Sequence, residues 1–170
     1  MNDRNIAIIA DSCKIDNRKL GNYVSADFPG LSFQTADVSG SGLLGTLAVP
    51  IMGQLDSTEV TIHVRGLNRD TSILYEPGKH KLEFLHSQQL FSPNRDDKGV
   101  AGKVYVEGRL KSVEGGSSEV PNPVEVSATY EATRIQAFED GKEILLIDKE
   151  NGIYKVNGKD YMAAVMAAVK

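Results

Sequence analysis

The chain has 170 residues, of which 41% are hydrophobic and 25% charged, a balance that excludes a wholly disordered polypeptide and suits one domain rather than two. No apolar run approaches the roughly 18 to 20 residues of a membrane-spanning helix, so no membrane anchor is expected, and the apolar stretch within Met1–Ala10 is too short for a secretory signal. A net charge of −4 and a pI of about 5.4 give no bulk attraction for nucleic acid; Cys13, the single cysteine, rules out an intrachain disulfide and a cysteine-rich zinc site.

Taken in chain order, the elements are mostly strands. Ile6–Ala10 and Tyr23–Phe28 are short strand candidates. Ala36–Asp56 fits neither strand nor helix periodicity: it combines Gly40, Gly42, Gly45, Gly53 and Pro50 with Leu43, Leu44, Leu47, Val49, Ile51 and Met52. It is expected to be a long glycine-rich loop, and structureless loops of that length in a compact domain are usually functional. Its apolar side chains would be costly in water, which suggests burial against a partner. Thr58–Arg65 alternates cleanly, with Val60, Ile62 and Val64 on one face and Glu59, Thr61, His63 and Arg65 on the other. Asn68–Tyr75 is a candidate short helix, stopped by Pro77 and Gly78. Lys81–Leu85 and Lys103–Lys111 follow as strands, with loops at Asp96–Gly99 and Gly115–Ser118.

The longest alternation runs from Val124 to Gln136, where Val124, Val126, Ala128, Tyr130 and Ala132 oppose Glu125, Ser127, Thr129, Glu131 and Thr133. Asp140-Gly141 is a two-residue hairpin signal, because both central residues of that turn take positive φ, and Asn151-Gly152 and Asn157-Gly158 mark further turns. The end of the chain is Ala-rich and spaces Met162, Val165, Met166 and Val169 at helical intervals behind Asp160, a potential N-cap. About ten residues are marginal as an isolated helix, so this one must dock. The expected fold class is therefore mainly β, a barrel or sandwich with a flanking short helix, a long glycine-rich loop and a short C-terminal helix.

Motif by motif, the chain offers little chemistry. Gly40-Ser41-Gly42-Leu43-Leu44-Gly45 spells a dinucleotide fingerprint, but Pro50 and Gly53 interrupt any following helix and no βαβ alternation surrounds it. Asn94, Asp96 and Lys98 make a poor calcium loop, since Lys98 stands where a carboxylate is needed and Tyr105 where the closing Glu belongs. His63, His80 and His86 lack metal-ligand spacing, and Cys13 would need a neighbouring base to act as a nucleophile. No cofactor, metal or catalytic residue is assigned, and an enzyme is not expected. The polar stripe from Glu125 to Thr133 is either the solvent face of a sheet or the wall of a water-filled channel between subunits; alternation alone does not separate these.

The order of segments resembles the major tail tube protein family of contractile-tailed phages, and also the tube proteins of contractile bacteriocins. The resemblance is carried by Ala128–Ile135, Asp140-Gly141-Lys142-Glu143, Ile147-Asp148 and Tyr154–Asp160 at the C-terminal side. Phe28-Pro29-Gly30-Leu31, the Ser39–Gly45 loop before Pro50, Asp56 leading into Thr58–Gly66, Arg95–Gly99 and Gly108-Arg109 sit in collinear order before it. It covers the chain from about Tyr23 onward; Met1–Leu20 matches weakly and Asn68–Pro77 is shorter than the helix it implies.

The resemblance implies one tail tube domain over residues 1–170. Residues 1–20 are set apart as an N-terminal segment with no role assigned, and residues 36–56 form an extended loop between subunits or rings. It implies hexameric rings stacked into a hollow tube in a virion tail, assembled in the bacterial cytoplasm, with a sheath protein, baseplate or initiator proteins and a tail terminator as partners. DNA would pass through the lumen without specific binding. Glu125, Ser127, Thr129, Glu131 and Thr133 are then the first candidates for lumen wall, and Glu59, Thr61 and His63 the second. Leu43, Leu44, Leu47, Val49, Ile51 and Met52 are the candidate inter-ring contacts. Six copies of a chain of charge −4 give a ring of about −24, and an acidic or polar wall would limit sticking of DNA phosphates. The alternatives are the tube of a genome-free bacteriocin and a monomeric β-sandwich binding module, the latter opposed by the absence of Trp for sugar stacking.

Overall fold

A computed structural model of the chain describes residues 4–93 and 95–169. Twelve strands are present among them: β1 Arg4–Ile15, β2 Arg18–Lys19, β3 Tyr23–Asp27, β4 Phe33–Val38, β5 Leu47–Leu55, β6 Glu59–Arg65, β7 Lys79–Phe91, β8 Lys98–Glu114, β9 Glu125–Glu139, β10 Lys142–Asp148, β11 Ile153–Val156 and β12 Lys159–Asp160. A 3-10 helix covers Thr71–Tyr75, and one α-helix, α1, covers Ala163–Ala167. Asn94, part of the weak calcium motif, and Met1–Asp3 lie outside the described residues.

Ten strands form one antiparallel sheet in the order β12-β11-β10-β9-β8-β7-β1-β2, with β6 also on β9 and β3 beyond β6. Strand β9 organises it. One edge of β9 pairs with β8; the other is divided, with Glu125–Glu131 on β6 and Arg134–Glu139 on β10. At the fork between these two partners the Ala132 N–H donates to the Thr58 carbonyl, and the Lys149 N–H donates to the Thr133 carbonyl. Alternation slips here: Val126, Ala128, Tyr130 and Ala132 are buried, then Ile135 rather than Arg134. Thr133 falls at a shift in the β8–β9 register, where its hydroxyl donates to the Glu107 carbonyl at 3.2 Å. An extra residue of this kind kinks the strand and resets its phase.

The sheet curls around one core. Val60, Ile62 and Val64 of β6, Val126, Ala128 and Tyr130 of β9, Val106 of β8, Leu82 and Phe84 of β7, and Cys13 and Ile15 of β1 all belong to one buried cluster, closed by Leu20, Ile73 and Leu74. Phe28, just past β3, meets Phe84 edge to face with centroids 5.1 Å apart, although β6, β9 and β8 stand between their strands in the ladder. Only a curled sheet permits that contact.

The N-terminal segment, residues 1–20, supplies Cys13, Ile15 and Leu20 to the core: the β1–β7 pairing carries Cys13 and Ile15 onto the inner face, and the Leu20 N–H donates to the Cys13 carbonyl. Two expectations are corrected. The glycine-rich loop is largely a ribbon: β4 and β5 pair with each other alone, and only residues 39–46 form an irregular tip. Pro50 is tolerated because a two-stranded ribbon has outer edges with no ladder to complete. The C-terminal helix is shorter than its apolar spacing suggested. Met162 is buried, whereas Val165 and Val169 are exposed, and Asp160 accepts the Met162 N–H at 2.9 Å, one residue before the expected helix start. The Asp140-Gly141 hairpin forms as expected, with φ of 47° and 76°.

His80 pins this scaffold from inside. Its Nδ1 lies 2.7 Å from the Asp16 carboxylate and its Nε2 2.8 Å from the Glu76 carbonyl, which can only accept. Both ring nitrogens therefore donate, which requires the imidazolium form. Burial alone would lower the His80 pKa, but the hydrogen bonds to Asp16 and Glu76 and their negative charge outweigh it and raise it above the ordinary 6.5. The ring also packs edge-on to Tyr130, whose fully buried hydroxyl has no hydrogen-bond partner among the described residues.

Since folding raises the His80 pKa, its stabilisation is complete below about 6.5 and is lost as pH rises through the higher folded value. Thermal midpoints measured from pH 6 upward should fall across that window in the wild type and fall less in His80→Gln. Tyr130→Phe removes a desolvated, unbonded hydroxyl and is expected to leave stability unchanged or raise it by about 1 kcal/mol in denaturant titrations, against the usual loss for a core change.

Candidate functional site: a polar sheet face and an apolar arm

The two polar stripes identified in the sequence lie side by side. The register of β6 on β9 sets Glu59 opposite Glu131, Thr61 opposite Thr129, His63 opposite Ser127 and Arg65 opposite Glu125. Directly opposed residues share a face, so these eight side chains form one patch on the side away from the core. Their partners on the other face are Val60–Tyr130, Ile62–Ala128 and Val64–Val126. The Thr61 and Thr129 hydroxyls bond each other at 3.1 Å.

Charge on this face is paired. Glu59 holds Lys111, Glu125 faces Arg65 at 3.8 Å, and Glu131 faces Lys149 at 3.5 Å. His63 bridges Asp27 and Ser127, at 2.8 Å each. The patch is thus rich in hydroxyls and balanced in sign rather than acidic. Asp27, Ser57, Lys111 and Lys149 could not be found by reading along the chain, because only cross-strand register brings them here.

The Ser127–His63–Asp27 chain invites comparison with a nucleophilic triad, with Ser on Nδ1 and Asp on Nε2. Its setting argues against that chemistry. Ser127 sits within β9 at a level paired on both sides, with His63 and with Glu114, so the nearby backbone N–H groups are committed to ladders rather than aimed at an oxyanion. Cys13 is buried, and burial, with the Glu83 charge, pushes its thiol up to about 12, the opposite of an activated nucleophile.

Glu131 has a further structural task. Its carboxylate accepts from the Ser57 hydroxyl and from the Thr58 N–H at 3.1 Å, beside the Lys149 ammonium. Burial would raise its pKa, but these hydrogen bonds and the Lys149 charge outweigh it and lower the pKa. Lys149 also donates to the Asp56 carbonyl at 3.0 Å, and the Asp56 N–H donates to the Ser32 carbonyl at 2.9 Å. Glu131 therefore braces the fork of β9 where the arm made by β4 and β5 leaves the sheet.

The arm presents the other candidates. Leu43, Leu44, Leu47, Val49, Ile51 and Met52 are all exposed, and Leu44 at the tip is as open as a free residue, at 111%. The structure thus gathers Glu125, Ser127, Thr129, Glu131, Glu59, Thr61 and His63 on one face and the apolar candidates on one projection; Thr133, placed at the fork by the β8–β9 register shift, lies beyond the β6 pairing and bonds the Glu107 carbonyl instead. Among the described residues no helix is long and apolar enough to cross a membrane.

The fold is shared with solved structures. The chain superposes with a TM-score of 0.55 on a chain of the sheath/tube terminator of an extracellular contractile injection system, PVC, at 14% identity, covering 78% of this chain and 96% of the other. It superposes with 0.53 on a chain of the sheath-tube complex of the same kind of system, again at 14% identity and covering 78% and 90%. The fold is therefore that of components of contractile injection machines. By sequence, residues 8–169 match the phage tail tube protein FII family, and the chain belongs to that family. A 71-residue stretch is 38% identical to the tail tube protein of Escherichia phage P2, and this match spans 41% of either chain.

Glu131→Ala is expected to destabilise the fold by about 1 to 2 kcal/mol, moderated because the side chain keeps 34% of its surface exposed. Glu125→Ala, which removes only an exposed pair, should change stability by less than about 0.5 kcal/mol. Urea midpoints of the two variants check the contrast. The Glu131 contribution is present above its unfolded pKa and is lost as pH falls through the depressed folded value, so the two variants should converge in acid.

Proposed function

We propose that this chain is the tube subunit of a contractile tail, six copies closing into a ring and rings stacking into a hollow tube through which DNA passes. The observation that carries this reading is the separation of surfaces: one continuous hydroxyl-rich, charge-balanced face, and one exposed apolar arm on the same fold. Family membership and the shared fold support the tail and tube parts of the reading; the number six rests on the resemblance in the sequence.

The polar face of β6 and β9 lines the lumen. Threonine and serine hydroxyls with paired carboxylates offer DNA phosphates neither a cation cluster to hold them nor a strong repulsive field, so the polymer slides without specific binding. The arm, apolar and unpaired in the subunit, is buried against the neighbouring ring on stacking; this heterologous contact repeats without closing and so builds a filament. Sheath, baseplate or initiator proteins and a terminator are the partners, and the assembled product resides in the virion tail after assembly in the bacterial cytoplasm. A tube of a genome-free contractile particle would use the same surfaces, and the injection-system neighbours of the fold favour it as the second reading.

Thr129→Cys, placed at the middle of the polar face, is expected to be protected from a bulky maleimide in intact tubes and to react in dissociated subunits, as measured by mass spectrometry. Free reaction from outside an intact tube rejects the lumen assignment. Deleting Gly42–Val49 should leave a folded subunit, by circular dichroism, whose tubes are short or absent in electron micrographs.

A further inference from the structure

The arm is not a simple extension of the sheet. Its ladder runs Val38–Leu47, Asp37–Ala48, Ala36–Val49 and Thr35–Pro50, then resumes only at Phe33–Leu55. Gln34 alone therefore spans Ile51–Gln54 of the opposite strand. Within that bulge Gly53 has φ of 72°, a left-handed conformation that glycine accepts without strain. The bulge is the point at which the ribbon can bend relative to the body.

The C-terminal segment sits on that point. A Cβ built on Gly53 would lie 2.5 Å from both Cε and Sδ of Met162, so the Met162 thioether fills the notch left by the glycine. One turn later the pattern repeats: Gly152, φ 65°, has Met166 Cε and Sδ 2.7 Å from where its Cβ would be. Met162 and Met166 lie four apart, on one side of α1, and each seats on a glycine with positive φ. Met162 is 8% exposed, and the segment is tied down by Asp160 on the Met162 N–H and by the Tyr161 N–H on the Tyr154 carbonyl, 2.9 Å each. Beside the two methionines a cavity of about 360 Å³ remains, bordered by Leu55, Ile153 and Tyr154.

We propose that Met162 is a lock on the arm: seated on Gly53 it holds the β4–β5 ribbon at one angle, and its withdrawal into the adjoining cavity frees the ribbon to swing about the bulge. Methionine suits this role, because an unbranched thioether changes rotamer at low cost and packs in irregular space. Small hinge positions absorb large backbone changes while the elements on either side stay rigid. Val165 and Val169, exposed on the same segment, give a neighbouring subunit an apolar handle by which to pull the lock. The significance of the swing for stacking rests on the reading of the arm given above; the lock itself does not.

The test uses the unassembled full-length subunit with a nitroxide on Ala48→Cys, an exposed position on β5 beyond the bulge. Buried Cys13, its thiol pushed up to about 12, does not compete for the label. In Met162→Ala the label's rotational correlation time should fall several-fold relative to the wild type, and in Met162→Leu, which refills the notch, it should return to the wild-type value. Met162→Val, which shortens the side chain out of the notch but keeps it apolar, should mobilise the arm as Met162→Ala does and replaces it if Met162→Ala does not fold; Gly53→Ala, whose Cβ would displace the methionine and also strain a left-handed backbone, should mobilise the arm too. A label equally immobile in Met162→Val and in folded Met162→Ala overturns the lock. Electron microscopy of the same samples separates the two claims: a wild-type subunit with an immobile arm that never forms tubes refutes the proposed function and leaves the lock standing.

Discussion

Pairing of β6 with β9, in the register that sets Val60 opposite Tyr130, is the constraint on which the remaining surfaces depend. Side chains in a strand alternate, so a slip of one residue would carry Glu59, Thr61 and His63 into the core and Val60, Ile62 and Val64 into water. Burial of the apolar set fixes the register, because each fully buried valine or isoleucine contributes about 1.5 to 3 kcal/mol. The polar face is a consequence of that burial. Glu131 at the fork apart, it needs no specific interaction of its own, which explains why its other contacts are short-range hydroxyl and ion pairs of small individual worth.

The same strand makes the arm possible. Because β9 outruns β6, its edge must change partners, and the change occurs at Ala132 and Thr133. A fork in a sheet leaves backbone groups that must be satisfied, and the chain satisfies them with Thr58, the residue before β6, and Lys149, the residue after β10. Glu131, Ser57, Thr58 and Lys149 gather there. The arm emerges next to this cluster, so its base is tied to the sheet by Lys149 and Asp56 while its far end is free. A long apolar ribbon rooted in a rigid fork is suited to reach a neighbour without disturbing the subunit's core. Its exposure would be a liability in a monomer, and the proposed stacking would remove that liability by covering it.

Much of the β-structure was legible because half-buried strands write their period into the chain. Thr58–Arg65 and Val124–Ala132 alternate without a break, and both became strands with the expected inner face. Asp140-Gly141 announced its hairpin through the positive φ that both residues adopt. The arm was harder. Its strands bury neither face, so no period marks them, and Gly40, Gly42, Gly45 and Pro50 read as loop. The C-terminal helix misled in the other direction: Val165 and Val169 kept helical spacing with the two methionines, but of these four only the methionines seat on glycines, Gly53 and Gly152, and the two valines stay exposed.

The sequence by itself determined which residues could share a face, because alternation is a local property of the backbone, and it named every member of the polar patch on β6 and β9. Only the tertiary structure decided that the two stripes adjoin, that their carboxylates are matched by Lys111, Arg65 and Lys149, and that Met162 seats on Gly53. Those facts depend on register and on chain segments separated by tens of residues. Such long-range contacts are selected by the packing of the whole core, which no local pattern encodes.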